Sequence, residues 1–240
     1  MRAAINLAGA LLWFPLNILV IARLLRAEWR RFPLIFAFVI TEFLVAVAQF
    51  PTVWARVMQG TRETISWRVL FYQRGAVLLE FFTFIVVLSL IYRATAPFQS
   101  RKLVRAACVL GAILFVGLSF LIHYNPNIIV GEWMAPWERD LNVGTTILDL
   151  ALWSLLLARR QKDYRLLLLS GALGIQFAGE AIGNSMRSLA TQQHPWPSRA
   201  GGMIVVASGL VRVYMWARAF RQAPETPRNL VLDLPAQRDG

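Results

Sequence analysis

The chain is poor in the residues that soluble and cofactor-binding proteins use most. Charged residues account for 16% of its 240 positions, with 13 acidic residues against 25 lysines and arginines. It has a single cysteine, Cys108, so no disulfide can form within one chain. Because Cys108 stands inside an apolar run with no nearby base, we interpret it as a small buried hydrophobe rather than a reactive thiol.

Lysine and histidine are also scarce, and their positions exclude several kinds of membrane protein. A retinal pigment needs a lysine inside a membrane helix for its Schiff base, whereas Lys102 and Lys162 both fall between apolar runs. Haem held between facing helices would need histidines within them, but His123 and His194 lie at the ends of such runs. No phosphate-binding glycine loop or zinc-ligand spacing occurs. We therefore expect no catalytic set, no metal site and no cofactor, and we predict that the chain is not an enzyme.

Apolar residues, in contrast, fill most of the chain. Hydrophobic residues make up 57% and the mean hydropathy is +0.52, which is typical of membrane proteins. Seven apolar stretches approach the roughly 20 residues that cross a bilayer core, at residues 3–22, 33–58, 69–92, 103–122, 141–158, 166–186 and 200–220. We predict an all-α, polytopic membrane protein with seven transmembrane helices in one domain, residues 1–221. The proline-rich, polar residues 222–240 are expected to form a disordered cytoplasmic tail.

The distribution of arginine predicts the orientation. Clusters of Lys and Arg that begin at Arg23, Arg93, Arg159 and Arg218 follow alternate predicted helices, while the other loops hold scattered arginines. Because such residues accumulate in the cytoplasm, we predict an outside N-terminus, a cytoplasmic C-terminus and an uncleaved first helix. This indicates a multi-pass protein of the inner (plasma) membrane. Its basic cytoplasmic face would contact anionic lipids, and we expect no nucleic-acid binding.

Ionisable residues inside these stretches are the main indication of function. Six of them would lie in the middle or outer third of the bilayer: Glu42, Arg74, Glu80, Asp149, Glu180 and Arg212. A charge at the centre of a membrane helix costs roughly 2.5 to 3.5 kcal/mol on insertion scales, so such residues usually face one another or a polar cavity. Gln176 and Asn184 lie four residues on either side of Glu180, on the same helix face. We take all eight residues as candidates for ligand or ion binding.

Depth along each stretch predicts two groups. Arg74 and Glu180 would form a pair in the outer third of the membrane, and Arg212 would pair near the middle with Glu80 or Asp149. The acids outnumber the bases, so one or two carboxyls would be protonated or would hold a cation. Interhelical hydrogen bonding, worth about 0.6 kcal/mol per polar residue, is the alternative interpretation of these side chains.

The fourth stretch breaks the pattern of polar faces, because it carries only Arg105 near one end and nothing charged deeper. We predict that it is a peripheral connector and that the other helices surround a polar centre. In the sixth stretch, Gly179 and Gly183 would let a neighbouring helix approach closely, either within the chain or in a homodimer. Residues 124–140, with Trp133 and Trp137, are expected to be a short interfacial segment or an ordinary loop.

Two resemblances bear on the architecture. Asn6, the pair Leu12 and Trp13, and the turn at residues 30–37 resemble a family of small bacterial seven-helix membrane proteins. That resemblance implies the helix count and no particular activity. The three-plus-one-plus-three arrangement is similar to that of SWEET and semi-SWEET sugar transporters, in which two parallel triple-helix units flank a linker helix. The proline-glutamine signature of that group is missing.

Three hypotheses on function follow. The first is a non-enzymatic module that binds a small ligand, a lipid or a partner helix at its charged core and signals to the cytoplasmic face. The second is a proton- or cation-linked transporter of small molecules, in which carboxyls such as Glu42 and Glu80 titrate. The third is an intramembrane enzyme that uses carboxylates alone.

Overall fold

The structure is a computed structural model that describes residues 2–59, 66–96, 101–125, 130–158, 163–189 and 196–221. Within these ranges the side chains of residues 2–8, 10, 27, 28, 52, 53, 55–59, 66–74, 130–132, 135 and 188 are not described. The predicted tail, residues 222–240, therefore lies outside the described residues.

Long helices make up almost all of the described chain. The seven α-helices are α1 (Arg2–Arg23), α2 (Pro33–Gln59), α3 (Ser66–Ala94), α4 (Arg101–His123), α5 (Val130–Leu157), α6 (Tyr164–Ser188) and α7 (Trp196–Ala219). A π-helical turn, Leu24–Glu28, continues α1. Six helices, α2 to α7, are long and apolar enough to cross a membrane. The prediction of an all-α protein is confirmed, and the apolar bundle is consistent with a multi-pass membrane protein in a lipid environment.

Local sequence explains where two helices begin. Pro33 is the first residue of α2, a position where a proline loses no hydrogen bond because that N–H has no partner within the helix. Asp163 caps α6, and its Oδ1 accepts the backbone N–H groups of Arg165 and Leu166 at 3.1 Å each. These signals stand directly before the apolar runs and make the starts of α2 and α6 readable from the sequence.

Six of the helices form a closed ring. Neighbours contact one another in the order α1, α2, α3, α5, α6 and α7, and α7 returns to α1. Helix α4 lies outside this ring and packs on α5 and, more lightly, on α3. Only 11% of the α4 span is buried, against 50% of the α6 span. The prediction of a peripheral fourth helix is confirmed.

Helices α6 and α7 form the closest contact in the ring because glycines line it. A Cβ added to Gly183 would lie 2.6 Å from the carbonyl oxygen of Gly201, and one added to Gly179 would collide with Ser208. The backbones therefore touch where only glycine fits. Of the two uses predicted for Gly179 and Gly183, the structure shows the contact within the chain.

One end of the bundle, the basic end, is closed by apolar packing and arginines. It comprises the last turns of α1, α3, α5 and α7 and the first turns of α2, α4 and α6. Most of the buried apolar core lies in this half, including Phe32, Leu90 and Trp216. The Arg23 guanidinium donates to the carbonyl of Ala217, and other arginines donate to carbonyls near the ends of neighbouring helices. Polar side chains concentrate nearer the middle and the opposite end.

Helix α5 begins at Val130, well before the predicted start at residue 141. The expected interfacial segment or loop is thus mostly the first part of a membrane helix. The reason is an aromatic cluster at the end opposite the basic end. Phe120 of α4 packs against Trp133 and Trp137 of α5 with ring centroids 5.7 and 5.2 Å apart. Tyr124 joins them, and its ring lies 5.4 Å from that of Trp133.

Candidate functional site

A buried ion pair joins α2 to α7. Arg212 Nη2 donates to Glu42 Oε1, and the two side chains are 2% and 15% exposed. The guanidinium also lies over two aromatic rings, 5.4 Å from the centroid of Phe38 and 5.2 Å from that of Trp216. Cation–π contacts of this kind are strongest where water is excluded. Arg212 is therefore fixed by one carboxylate and two rings.

The pairing of Arg212 with Glu80 or Asp149 was wrong. Helices α2 and α7 are the two neighbours of α1, so they face each other behind it and bring Glu42 to Arg212. Asp149 is 2% exposed and its Oδ1 accepts the hydroxyl of Ser170 on α6, at 2.7 Å. Position along each apolar stretch predicts the depth of a charge approximately, but depth alone does not say which helices are adjacent.

A carboxylate cluster occupies the ring further from the basic end. It consists of Glu80 of α3, Glu138 of α5 and Glu180 of α6, whose carboxyl groups lie close enough to repel one another. Two amide side chains donate hydrogen bonds to it. Asn142 donates to Glu180 Oε2 at 3.0 Å and Gln176 donates to Glu180 Oε1 at 2.7 Å. The predicted candidates Glu80, Glu180 and Gln176 thus lie together.

Two other candidates are placed differently. The side chain of Arg74 lies outside the described residues, so its predicted pair with Glu180 stays a prediction. Asn184 is exposed, and its Oδ1 accepts from Arg187 at 3.4 Å. Glu138 was missed because the sequence placed it in a loop.

Several buried polar atoms in this interior have no hydrogen-bond partner among the described residues. They are Glu42 Oε2, Glu80 Oε2, Gln176 Oε1, and Nε and Nη1 of Arg212. Leaving a buried polar group unsatisfied costs about 1 to 3 kcal/mol, so these atoms would gain from water or a guest molecule. The described residues contain no group of three side chains that could hold a metal ion.

Counting about 1.5 Å per residue along each helix separates the polar groups by depth. Glu42, Arg212 and Asp149 stand roughly 10 to 14 Å from the basic end, and Glu80 and Glu180 roughly 20 to 24 Å from it. Polar groups therefore lie at the two predicted depths, but the residues found at each depth differ from the prediction. Glu80 belongs with Glu180, and Asp149 lies deeper toward the basic end than expected.

A cavity of about 300 Å³ lies between α1, α2 and α7. Its walls include Trp13 and Phe14 of α1, Gln49 and Phe50 of α2, and Gly209 of α7. Gln49 was not among the predicted candidates, and the sequence did not indicate the cavity. The available signal was a set of small residues that face aromatic ones across three helices. Such a pattern is visible only when the neighbours of each helix are known.

A further polar group joins α4 to α5. Asp140 Oδ2 accepts the Ser119 hydroxyl at 2.7 Å and lies 2.9 Å from His123 Nε2. Both partners contact the same carboxylate oxygen, and Ser119 donates to Asp140 rather than to the histidine. Nucleophilic catalysis requires a serine that donates to its base, so this group instead anchors the peripheral helix.

An apolar helical ring with a charged interior defines an integral membrane protein as the class. No protein-family model, curated protein or solved structure matches the chain.

Proposed function

We propose that this protein is a non-enzymatic, seven-helix membrane module that binds a small ligand in the cavity between α1, α2 and α7 and signals its presence to the basic end. In this proposal all seven helices span the inner membrane, the N-terminus is outside and the basic end faces the cytoplasm. Anionic lipids would surround that end because its exposed arginines attract them.

The position of the cavity relative to the ion pair carries the proposal. Gly209 lines the cavity one turn before Arg212 on α7, and Ala46 lines it one turn after Glu42 on α2. A ligand that separates α2 from α7 at this level would therefore pull directly on the buried ion pair. A ligand can change the conformation only if it binds one arrangement of the helices better than another. A cavity beside the ion pair between α2 and α7 allows such a difference.

The rest of α7 offers a continuous mechanical path. Beyond Arg212, the indole N–H of Trp216 donates to the carbonyl of Leu169 on α6, at 3.2 Å. One turn further, the ring of Phe220 packs edge-on against Phe32 at the start of α2, with centroids 5.8 Å apart. A shift of α7 would thus reach α6 and the basic end through close contacts.

Filling the cavity tests this proposal. A Cβ on Gly209 would meet nothing within 4 Å, so Gly209→Leu adds bulk to the cavity without a collision at the backbone. Gly117→Leu is the matched control because Gly117 is equally open but lies on the peripheral α4. Thermal unfolding in nanodiscs would be followed with dodecanol, dodecanoate and dodecyltrimethylammonium as probes.

We expect at least one probe to raise the Tm of the wild type and of Gly117→Leu but not that of Gly209→Leu. A fluorophore on Arg221→Cys, in a Cys108→Ser background, should change its emission with the same probe. Absence of any stabilisation, or equal stabilisation of Gly209→Leu, would contradict ligand binding in the cavity. A silent fluorophore beside clear stabilisation would contradict signalling to the basic end.

Proton- or cation-linked transport is the second candidate. It is favoured by the ring itself, because α1, α2 and α3 contact one another in the same consecutive order as α5, α6 and α7, with α4 outside. Two parallel triple-helix units around a polar centre would give such contacts. Proteoliposomes under a pH gradient would be tested for uptake across a sugar and amino-acid panel. Flux equal to that of protein-free vesicles would count against transport.

A further inference from the structure

We infer that the cavity between α1, α2 and α7 takes an uncharged, single-chain amphiphile, with its apolar body against the aromatic rings and one oxygen at Gln49. This inference rests on the proposed ligand-binding function and names the chemical class of its ligand.

The walls are apolar and well fixed. Trp13 stacks on Phe43 with an interplanar angle of 12° and centroids 6.5 Å apart. Phe14 packs edge-on against both Phe43 and Phe50, with centroids 5.8 Å apart in each case. Ring pairs in these geometries stabilise each other beyond their buried area. The aromatic surface is therefore held in place before a ligand arrives, which reduces the entropy lost on binding.

Charge is excluded by the lining. The described residues that line the cavity include no acidic or basic side chain. The nearest charges in sequence, Glu42 and Arg212, are one turn away and already paired with each other. At these walls a carboxylate headgroup would lose its hydration without contacting an opposite charge, and a quaternary amine would gain only the aromatic faces, so burying either costs more than burying a neutral group. The structure therefore selects against carboxylates and quaternary amines.

Gln49 supplies the polar contact. Among the described residues that line the cavity, it is the one with a side-chain amide, and a Cβ added to Gly75 of α3 would be 3.4 Å from its Nε2. The amide can both donate and accept a hydrogen bond, so it suits a hydroxyl or a carbonyl oxygen equally well. Gln49 is two turns from Glu42 along α2, and the oxygen of the ligand would point away from the ion pair.

Size limits the ligand to one chain. The cavity of about 300 Å³ is at the lower end of the range for ligand pockets. Gly9 narrows it where α1 crosses α7, since a Cβ there would collide with Val206. The cavity is partly open at the surface of the bundle, so its volume describes the part of the ligand that it holds: a single alkyl chain or a small ring with one oxygen fits, and the second chain of a phospholipid would stay outside.

The test compares three probes with the same twelve-carbon chain: dodecanol, dodecanoate and dodecyltrimethylammonium. Affinity would be measured in nanodiscs by the quenching of tryptophan fluorescence with a brominated analogue of each probe. We expect dodecanol to bind at least 10-fold more tightly than either charged probe. Gln49→Leu should weaken dodecanol binding by roughly 2- to 10-fold, the equivalent of one net hydrogen bond, and leave dodecane binding unchanged.

The outcomes separate this inference from the proposed function. If a charged probe binds as tightly as dodecanol, and Gly209→Leu abolishes both, the ligand class is wrong while the binding site stands. If Gly209→Leu changes no affinity, both fail. An unchanged dodecanol affinity in a folded Gln49→Leu variant, as judged by circular dichroism, would overturn the role of the amide.

Discussion

Arg212 shows how a single side chain can stabilise a membrane protein and also make it responsive to a ligand. Its guanidinium has one carboxylate partner, two aromatic neighbours and two nitrogens with no partner among the described residues. Removing a partner from a buried ion pair leaves an uncompensated charge, which is more destabilising than removing both. Separating the two side chains therefore costs free energy. A ligand in the cavity that moves α2 away from α7 would have to supply it.

A double-mutant cycle tests this coupling at the residue scale. We expect Arg212→Met to lower the free energy of unfolding by roughly 3 to 5 kcal/mol because Glu42 stays buried without a cation. Adding Glu42→Leu to it should restore most of that loss. Unfolding in mixed micelles would measure all four proteins. Additive effects of the two substitutions would show that the residues are not energetically coupled.

Much of the site could be predicted residue by residue, and the wrong pairings share one cause. Glu80, Glu180 and Gln176 were predicted as candidates and do lie together. Glu42 and Arg212 were also predicted, but not as each other's partner. Helical periodicity shows which residues share a face, whereas partners across helices depend on which helices are adjacent, and one sequence does not contain that information.

At the scale of the helices, the main feature of the α6–α7 pair is its close backbone contact. Glycine is unfavourable within a soluble helix, but here it allows two helices to approach where any side chain would collide. The start of α5 was the main error among the predicted elements. Charged residues such as Glu138, Arg139 and Asp140 lower the local hydropathy, while aromatic packing on α4 keeps the segment helical.

Substitution of one glycine tests the role of the α6–α7 contact. Gly183→Ala should separate the two helices, because the new Cβ would lie 2.6 Å from the carbonyl oxygen of Gly201. We expect a loss of roughly 1 to 3 kcal/mol in unfolding free energy. Gly117→Ala is the control, since its Cβ meets nothing within 4 Å, and it should keep or raise stability. Equal effects of the two substitutions would argue against a special contact at Gly183.

At the scale of the whole molecule, the ring divides the protein into a closed half and a polar half. The apolar core and the arginines that bind helix-end carbonyls belong to the basic end, while the carboxylate cluster lies well beyond them. The helix count and the peripheral position of α4 were predictable because they follow from hydropathy and from the distribution of charge.

Cysteine labelling tests the proposed orientation. Arg30 at the basic end and Arg187 at the opposite end are both exposed. In a Cys108→Ser background, we expect Arg187→Cys to react with an impermeant maleimide in intact cells. Arg30→Cys should react only after the cells are opened. The reverse pattern would invert the proposed topology, and reaction of both in intact cells would contradict an odd number of membrane crossings between the two sites.

The partners of the buried ion pair are separated by 170 residues along the chain. At a synthesis rate of roughly 5 to 20 residues per second, Glu42 enters the membrane about 10 to 30 s before Arg212 is made. During that interval α2 must be held by the insertion machinery or by early neighbours, with its carboxyl group unmatched. Any product that stops before α7 therefore leaves Glu42 without its arginine partner within the bilayer.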